Sequence, residues 1–393
     1  LIGLLQTTCT PDTINWLKWR TDPPTPKQLK QRFSSVAHAF ELEGDKAFMQ
    51  DYLPLDLKEE WPIERLLIGA PGKSTIEKGT DHFCKAGTYN VLCPSCAASA
   101  LYTWQINGMA FGAGYREGLR GGGPITTLVV GNSSRDDISL WELSWTNVLE
   151  KSKYVDGAIT DKNSDQYRFP WMGPSRVSDS GQKTFRDDVN LDQQYWPMQQ
   201  RIRLIKSREH QDRCDLCGEE SITLYRNIRI KNHGVWYEGF EHPLSPHVES
   251  RNGSKAMRMP KDNIGYKHWM GLILGENIGE NKLIPARVVQ QFRHRQHQDG
   301  RIWAFGVNII PGQANALCWY DSTMPLLNIE PEYLSLFEER IASFVKSARF
   351  VGGQIMTAVM RATLLEVSNK ENRGTDIHVV WKWPREILNR LKT

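Results

Sequence analysis

Two pairs of cysteines carry the clearest chemistry in the 393-residue sequence, Cys93-Pro-Ser-Cys96 and Cys214-Asp-Leu-Cys217. Two residues between thiolates let both sulfurs reach one metal ion, while the turn between them aims backbone N–H groups at the sulfurs. Four thiolates complete a closed tetrahedral zinc site, structural because no position stays open for water. Gly218 directly after Cys217 suits the tight turn such a knuckle needs. The knuckles lie about 120 residues apart, so one shared ion would staple distant parts of the chain. A redox CxxC expects a thioredoxin-like βαβ context, which the surrounding residues lack; four unrelated buried thiols are the bland alternative. Cys9, Cys84 and Cys318 read as plain core or surface thiols, and the odd total of seven argues against a secreted disulfide framework.

A second candidate is the run from Gly108 to Gly123, GMAFGAGYREGLRGGG, with seven glycines. Glycine permits close backbone approach and positive φ, as a loop cradling phosphate or lying in a groove requires. The run is neither a P-loop nor a strand–GxGxxG–helix fingerprint, because the expected order here is helix, loop, strand. Arg116 and Arg120 fit contact with a phosphate backbone; a structural turn with surface arginines is the plainer alternative. The ten histidines form no HExxH or other compact ligand pattern. His242 and His247 bracket Pro-Leu-Ser-Pro and fall on a loop. No GxSxG or defensible cysteine–histidine set is present, which favours a binding protein over an enzyme.

The elements that must position these residues follow from periodicity and turn chemistry. Residues 25–41 read as a helix after a Pro-rich turn, 62–67 as a short amphipathic element and 97–106 as a helix leaving the first knuckle. Residues 125–130 read as a buried strand, 140–149 as a helix and 150–200, rich in Asp, Ser, Gly and Pro, as mostly loop. Strands are expected at 222–230 and 301–310, with PGQAN behind the latter as a turn. From Glu332 to Val367 apolar residues recur at helical spacing, with Gly352–Gly353 expected to divide two helices or kink one. A further helix can start in the final WPREILNRLKT. The fold class is therefore α+β, with a large mixed domain over 1–325 and a helical bundle over 326–393. The first residues, LIGLLQTTCTP, read like the interior of a helix and lack Met, so earlier residues are expected to be missing.

Composition is that of an ordinary globular protein, 40% hydrophobic and 24% charged. No stretch approaches the roughly 18–20 apolar residues a membrane span needs. A net charge of +4 does not by itself announce nucleic-acid binding. Charge is uneven, however. Residues 41–60 are acid-rich, while Tyr225–Lys231 and Arg287–Arg301 cluster cations; solvated faces are the bland reading of both. The fourteen tryptophans show no fixed period, so no propeller or solenoid is expected.

Taken together, the run CPSCAASALYTWQINGMAFGAGYREGLRGGGPITTLV resembles the large subunit of type I-E CRISPR Cascade, the CasA family. The likeness extends through FMQDYLP (Phe48 to Pro54), CDLCGEES, HPLSP and PGQAN, and so over most of the chain. The resemblance implies a mixed α/β domain with Zn2+ held between the knuckles, a C-terminal four-helix bundle, and no nuclease activity of its own. It implies recognition of a protospacer-adjacent motif in double-stranded DNA, help in opening the duplex, and a docking surface for a helicase–nuclease. The implied partners are the other Cascade subunits, CRISPR guide RNA and target DNA, in the cytoplasm and away from membranes. Residue by residue, the glycine loop that approaches the minor groove matches Phe111, Gly112, Ala113 and Gly114. The groove-entering lysine matches Lys231, with Arg229 as the alternative register. The glutamine wedge matches Gln313, flanked by Gly312 and Ala314. An aromatic that meets the guide RNA matches Phe83, with His82 one residue away. The family loop is richer in glycine; Ala110 and Ala113 stand at two such positions here. The competing readings are a zinc-dependent nucleic-acid-processing enzyme using the His242–His247 region, and a purely structural zinc scaffold.

Overall fold

The structure is a computed structural model and describes residues 1–363 apart from 56–58, 80, 82–83, 132–137, 156–161, 208–211, 262, 296–299 and 311–314. The chain divides into two units, Leu1–Asn328 and Ile329–Thr393. The main strands are β1 (Trp61–Pro62), β2 (Thr126–Gly131), β3 (Arg201–Lys206), β4 (Tyr225–Lys231), β5 (His247–Ser250), β6 (Gly253–Ala256), β7 (Glu276–Ile278), β8 (Asn281–Ile284), β9 (Gly300–Ile310) and β10 (Asn315–Leu326). They form three antiparallel sheets, ordered β1-β4-β3, β6-β5-β8-β7 and β10-β9-β2. The main helices are α1 (Ile2–Cys9), α2 (Thr13–Thr21), α3 (Pro26–Ser34), α4 (Pro94–Asn107), α5 (Leu140–Thr146), α6 (Arg287–Arg295) and α7 (Pro331–Thr363). The architecture is thus mixed α/β, as the residue pattern indicates.

Local chemistry explains the boundaries. Asp12 starts α2 by accepting from the Asn15 N–H at 2.8 Å, and Thr25 with Gln28 forms a capping box ahead of Pro26 in α3. In β4 the side chains of Ile228 and Ile230 are buried and Arg229 between them is not, the period-two alternation of a half-buried strand. By contrast, β2 is buried from Thr127 to Gly131. It pairs with β9 on one side only; on the other, Asn147 accepts from the Val129 N–H and donates to its carbonyl, both at 2.8 Å. One amide side chain thus serves Val129, and the Leu244 carbonyl accepts the Thr127 N–H at 2.8 Å.

Tryptophan dominates the core. Trp16, Trp145 and Trp171 are almost fully buried, and each indole N–H finds a carbonyl, at Val148, Trp16 and Ala39 respectively. Burying such a ring without that bond would leave a costly orphan donor.

Several expectations need correction. Helix α7 runs unbroken through Gly352 and Gly353. Glycine keeps its N–H and lowers helix stability by about 1 kcal/mol without removing a hydrogen bond, and the helix formers on either side carry it. The helix expected over 25–41 ends at Ser34 and resumes as a 3-10 turn at Ala37–Phe40. The stretch 150–200 is irregular, yet every residue from Leu191 to Gln200 is buried. Within it Gln193 donates to the Tyr167 carbonyl, and the Gln200 backbone exchanges hydrogen bonds with the Gln105 side chain. The basic run after Arg287 begins as helix α6, and β10 completes a long hairpin with β9. The residues of the expected final helix lie outside the described ones. No helix among the described residues is long and apolar enough to cross a membrane.

Candidate nucleic-acid interface and metal centre

Helix α4 joins the two candidate sites. Cys93 caps its N-terminus with Pro94 in the first turn, and Gly108 follows its last residue. At about 1.5 Å per residue, the first knuckle and the glycine loop sit at opposite ends of one rigid rod. Gln105 near the C-terminal end is clamped to the Gln200 backbone by hydrogen bonds of 2.9 Å in each direction.

The second knuckle meets the first at the N-terminal end. The thiol sulfurs of Cys93, Cys96, Cys214 and Cys217 all lie within 4.8 Å of one another, and the Cys93 and Cys217 sulfurs are 3.8 Å apart. A tetrahedral ion with sulfur bonds of about 2.3 Å requires sulfurs about 3.8 Å apart, so the four side chains fit a metal ion. Burial pushes the Cys93 and Cys96 thiols up. At Cys214 burial acts in the same direction, but backbone hydrogen bonds from Cys93, Cys217 and Leu216 outweigh it and hold the thiol down at about 7.

Asp215, which sequence reasoning passed over, locks the two knuckles together. Its Oδ2 accepts the Asn90 N–H at 2.6 Å and the Val91 N–H at 3.0 Å. Its own N–H donates to the Val91 carbonyl at 3.0 Å. Within the second knuckle, the Gly218 N–H returns to the Cys214 carbonyl at 2.8 Å. A carboxylate inside a CxxC spacer was the signal available in the sequence.

At the other end of α4, the glycine loop folds back on the helix. A Cβ at Gly118 would lie 2.6 Å from the Ile106 carbonyl oxygen, so this glycine serves close packing within the protein. Gly114 has φ +83° and its carbonyl accepts the His233 N–H at 2.9 Å. That bond ties the loop to the turn that follows β4, where Lys231 is exposed. Loop and lysine, 117 residues apart in the chain, are therefore neighbours. Gly112 and Ala113 form the exposed tip. Phe111 is half-buried: it stacks on Trp104 with centroids 4.5 Å apart and meets Trp61 edge-on at 5.5 Å. Arg229, the alternative to Lys231, is engaged with Glu60 at 3.1 Å.

The two loop arginines turn inward. Arg116 donates to the Ser178 hydroxyl at 2.8 Å and carbonyl at 3.1 Å, and its guanidinium lies 4.4 Å from the Trp236 ring. Arg120 is 5% exposed. It donates to the Ser245 hydroxyl, the Asn107 side-chain carbonyl, the Ile125 carbonyl and the Thr126 hydroxyl, at 2.7 to 3.2 Å. Burial pulls its pKa down to about 10. Arg120 is thus an internal brace in place of the expected phosphate contact, and Arg116 is engaged by the fold as well.

The remaining candidates divide in the same way. In α6, Arg287 donates to the Lys153 and Tyr154 carbonyls and Arg293 to the Ile273 carbonyl, so these cations also hold the fold. His242 and His247 are 2% and 3% exposed. Burial holds both below the usual histidine range, His247 at about 4. Such rings offer no nuclease site to solvent. Phe83, His82, Gly312, Gln313 and Ala314 lie outside the described residues. Strand β9, which precedes 311–314, passes the end of the glycine loop: a Cβ at Gly123 would meet the Val307 carbonyl oxygen at 2.5 Å and the Ile309 side chain at 3.2 Å.

Comparison with known proteins bears on the family and the fold. The family model for CRISPR-associated protein Cse1 matches residues 1–383. Among solved structures, Cse1 from Acidimicrobium ferrooxidans is similar at 16% identity and a TM-score of 0.64, over 100% of this chain and 76% of that one. CasA from Thermus thermophilus is similar at 16% identity and a TM-score of 0.61, over 98% and 73%. A chain of a CRISPR RNA-guided surveillance complex is similar at 14% identity and a TM-score of 0.60, over 94% and 74%. With the knuckles joined at one end of α4 and the glycine loop at the other, the chain belongs to the CRISPR-associated Cse1 family, to which the CasA resemblance pointed.

Proposed function

We propose that this chain is the non-catalytic large subunit of a type I-E CRISPR Cascade complex, which reads a protospacer-adjacent motif in duplex DNA and starts strand opening. The observation that supports this most is the hydrogen bond between Gly114 and His233, because it sets the glycine loop beside exposed Lys231. The minor groove offers a degenerate code. A backbone tip of Gly112 and Ala113 with one long cation suits such a surface, and tolerates several related motifs. Gln313, between Gly312 and Ala314, serves as the wedge; unstacking a step costs a few kcal/mol, which guide–target pairing then offsets. Phe83 meets the guide RNA. The surface also docks a helicase–nuclease, and the partners are the other Cascade subunits in the cytoplasm.

The four cysteines hold Zn2+ in this reading, since closed thiolate sets at this spacing favour that ion. The metal supplies no chemistry to DNA. It fixes the N-terminal end of α4, and through α4 the loop at the other end.

Electrophoretic binding tests the reading directly. A guide-loaded complex with and without this chain is titrated against duplex targets bearing a permissive or a scrambled motif. Tight binding of the permissive duplex only when the chain is present is the expected result. Equal binding without the chain would assign motif recognition elsewhere and leave the scaffold reading.

A further inference from the structure

We infer that Phe111 is a positioning residue rather than a DNA contact, and that a stack of Trp104, Phe111 and Trp61 under Arg65 sets the glycine loop for motif discrimination; this rests on the motif-reading function proposed above. Trp61 comes from a distant segment, and Trp104 from α4, seven residues before Phe111. Phe111 lies nearly parallel to Trp104, at 18° and 4.5 Å, and edge-on to Trp61, at 82° and 5.5 Å. Tyr115 closes a further side at 5.9 Å. The Arg65 guanidinium carbon lies 5.6 Å from the Trp61 centroid and 5.9 Å from that of Phe111, and Arg65 is held in turn by the Pro71 carbonyl at 3.1 Å. Cation–π and edge-to-face contacts of this kind favour one ring orientation over others.

The tip needs such an anchor because the braces of Arg116 and Arg120 hold only the later part of the loop. A cleft of about 940 Å³ runs beside it, lined by Trp61, Arg65, Met109, Phe111, Gly112 and Ala113 among others. A Cβ at Gly112 would meet nothing within 4 Å. The tip is therefore carried by two fixed points, the Phe111 stack before it and the Gly114–His233 hydrogen bond after it. Phe111 has committed one face to Trp104 and stands at 82° to Trp61, which leaves it poorly placed to stack on a base. If the stack goes, the tip still exists but samples many positions, and a shape-reading contact fails first at discrimination.

The test uses complete guide-loaded complexes carrying Phe111→Leu, Phe111→Tyr or Arg65→Met, with incorporation of the chain and metal content checked for each. Affinity is measured for duplexes with a permissive and a scrambled motif. For Phe111→Leu, permissive-motif affinity is expected to fall about tenfold while scrambled-motif affinity holds, so the ratio collapses. Phe111→Tyr is expected to restore the ratio, and Arg65→Met, which leaves the tip residues themselves unchanged, to lower it in the same sense by about threefold. An unchanged ratio in Phe111→Leu, or equal losses on both duplexes, overturns the inference. Collapse in Phe111→Leu with a normal ratio in Arg65→Met also overturns it, by making Phe111 a direct contact. If Phe111→Leu does not assemble, Arg65→Met decides alone. A wild-type complex with no discrimination fails the underlying function itself, and with it the inference.

Discussion

Arg120 is a full guanidinium buried without a carboxylate partner among its described contacts; four neutral oxygens share its donors. Replacing it by Met would leave those oxygens unpaired in the interior. The expected cost is about 2–4 kcal/mol, read as a lower melting temperature, while the folded fraction keeps its motif discrimination. Loss of discrimination at unchanged stability would return Arg120 to the interface. The same cluster sets a pH dependence. His242 and His247 are held below the usual histidine range by burial, with Arg120 acting in the same direction. The unfolded chain therefore binds more protons than the folded one between about 6.5 and the folded value, about 4 for His247. Stability from these rings is complete above pH 6.5 and is lost as pH falls toward 4. Thermal melts from neutral pH downward are expected to show that decline, and His247→Gln to flatten it. A wild-type melting temperature constant across the window would contradict the neutral, buried state of both rings.

Among the elements, α4 has the most consequential ends. Asp215 orders the cysteine cluster from outside the set of four thiols, by accepting from Asn90 and Val91 just before the first knuckle. Groups that orient metal ligands in this way change affinity by about 10–100-fold when removed. Asp215→Asn is expected to weaken metal retention by that order, measured by competition with a chelator, with all four thiols still present. Retention equal to wild type would make Asp215 a turn former only. The knuckles themselves were legible in the sequence because thiolate spacing is a local property that metal chemistry constrains. The partner of Phe111 was not, since Trp61, Arg65 and Trp104 reach it only through tertiary packing. Arg116 and Arg120 misled for the complementary reason: a glycine-rich segment looks exposed, yet Gly118 packs against the Ile106 carbonyl and draws its neighbours inward. Strands β4 and β9 were readable from their alternation, whereas β10, containing polar Asp321, Ser322 and Thr323, carries no comparable signal.

At the scale of the whole molecule, charge is the informative quantity. The net charge is only +4, and many of the arginines are spent internally. Arg201 pairs with Asp51 at 2.6 Å, Arg229 with Glu60 at 3.1 Å and Arg258 with Glu117 at 2.9 Å. Arg116, Arg120, Arg287 and Arg293 bond to groups of the fold itself. A protein that grips DNA through many phosphates shows a steep salt dependence, with a slope of about −0.9 per phosphate neutralised. In the proposed reading this chain meets the motif through one lysine and a backbone tip, so its contribution to the slope of log K against log salt is expected to be about two at most. Lys231, exposed beside the glycine loop, is the cation assigned to the groove, and Lys231→Ala should reduce the slope by about one. Because a minor-groove lysine also senses groove shape, the same variant should lose more affinity on the permissive motif than on the scrambled one. Salt titrations of the guide-loaded complex, with wild-type and Lys231→Ala chains on both duplexes, separate the effects. A slope change of several units would mean that this single lysine organises a phosphate track. No change in slope or ratio would remove Lys231 from the interface and leave recognition to the loop tip and the wedge.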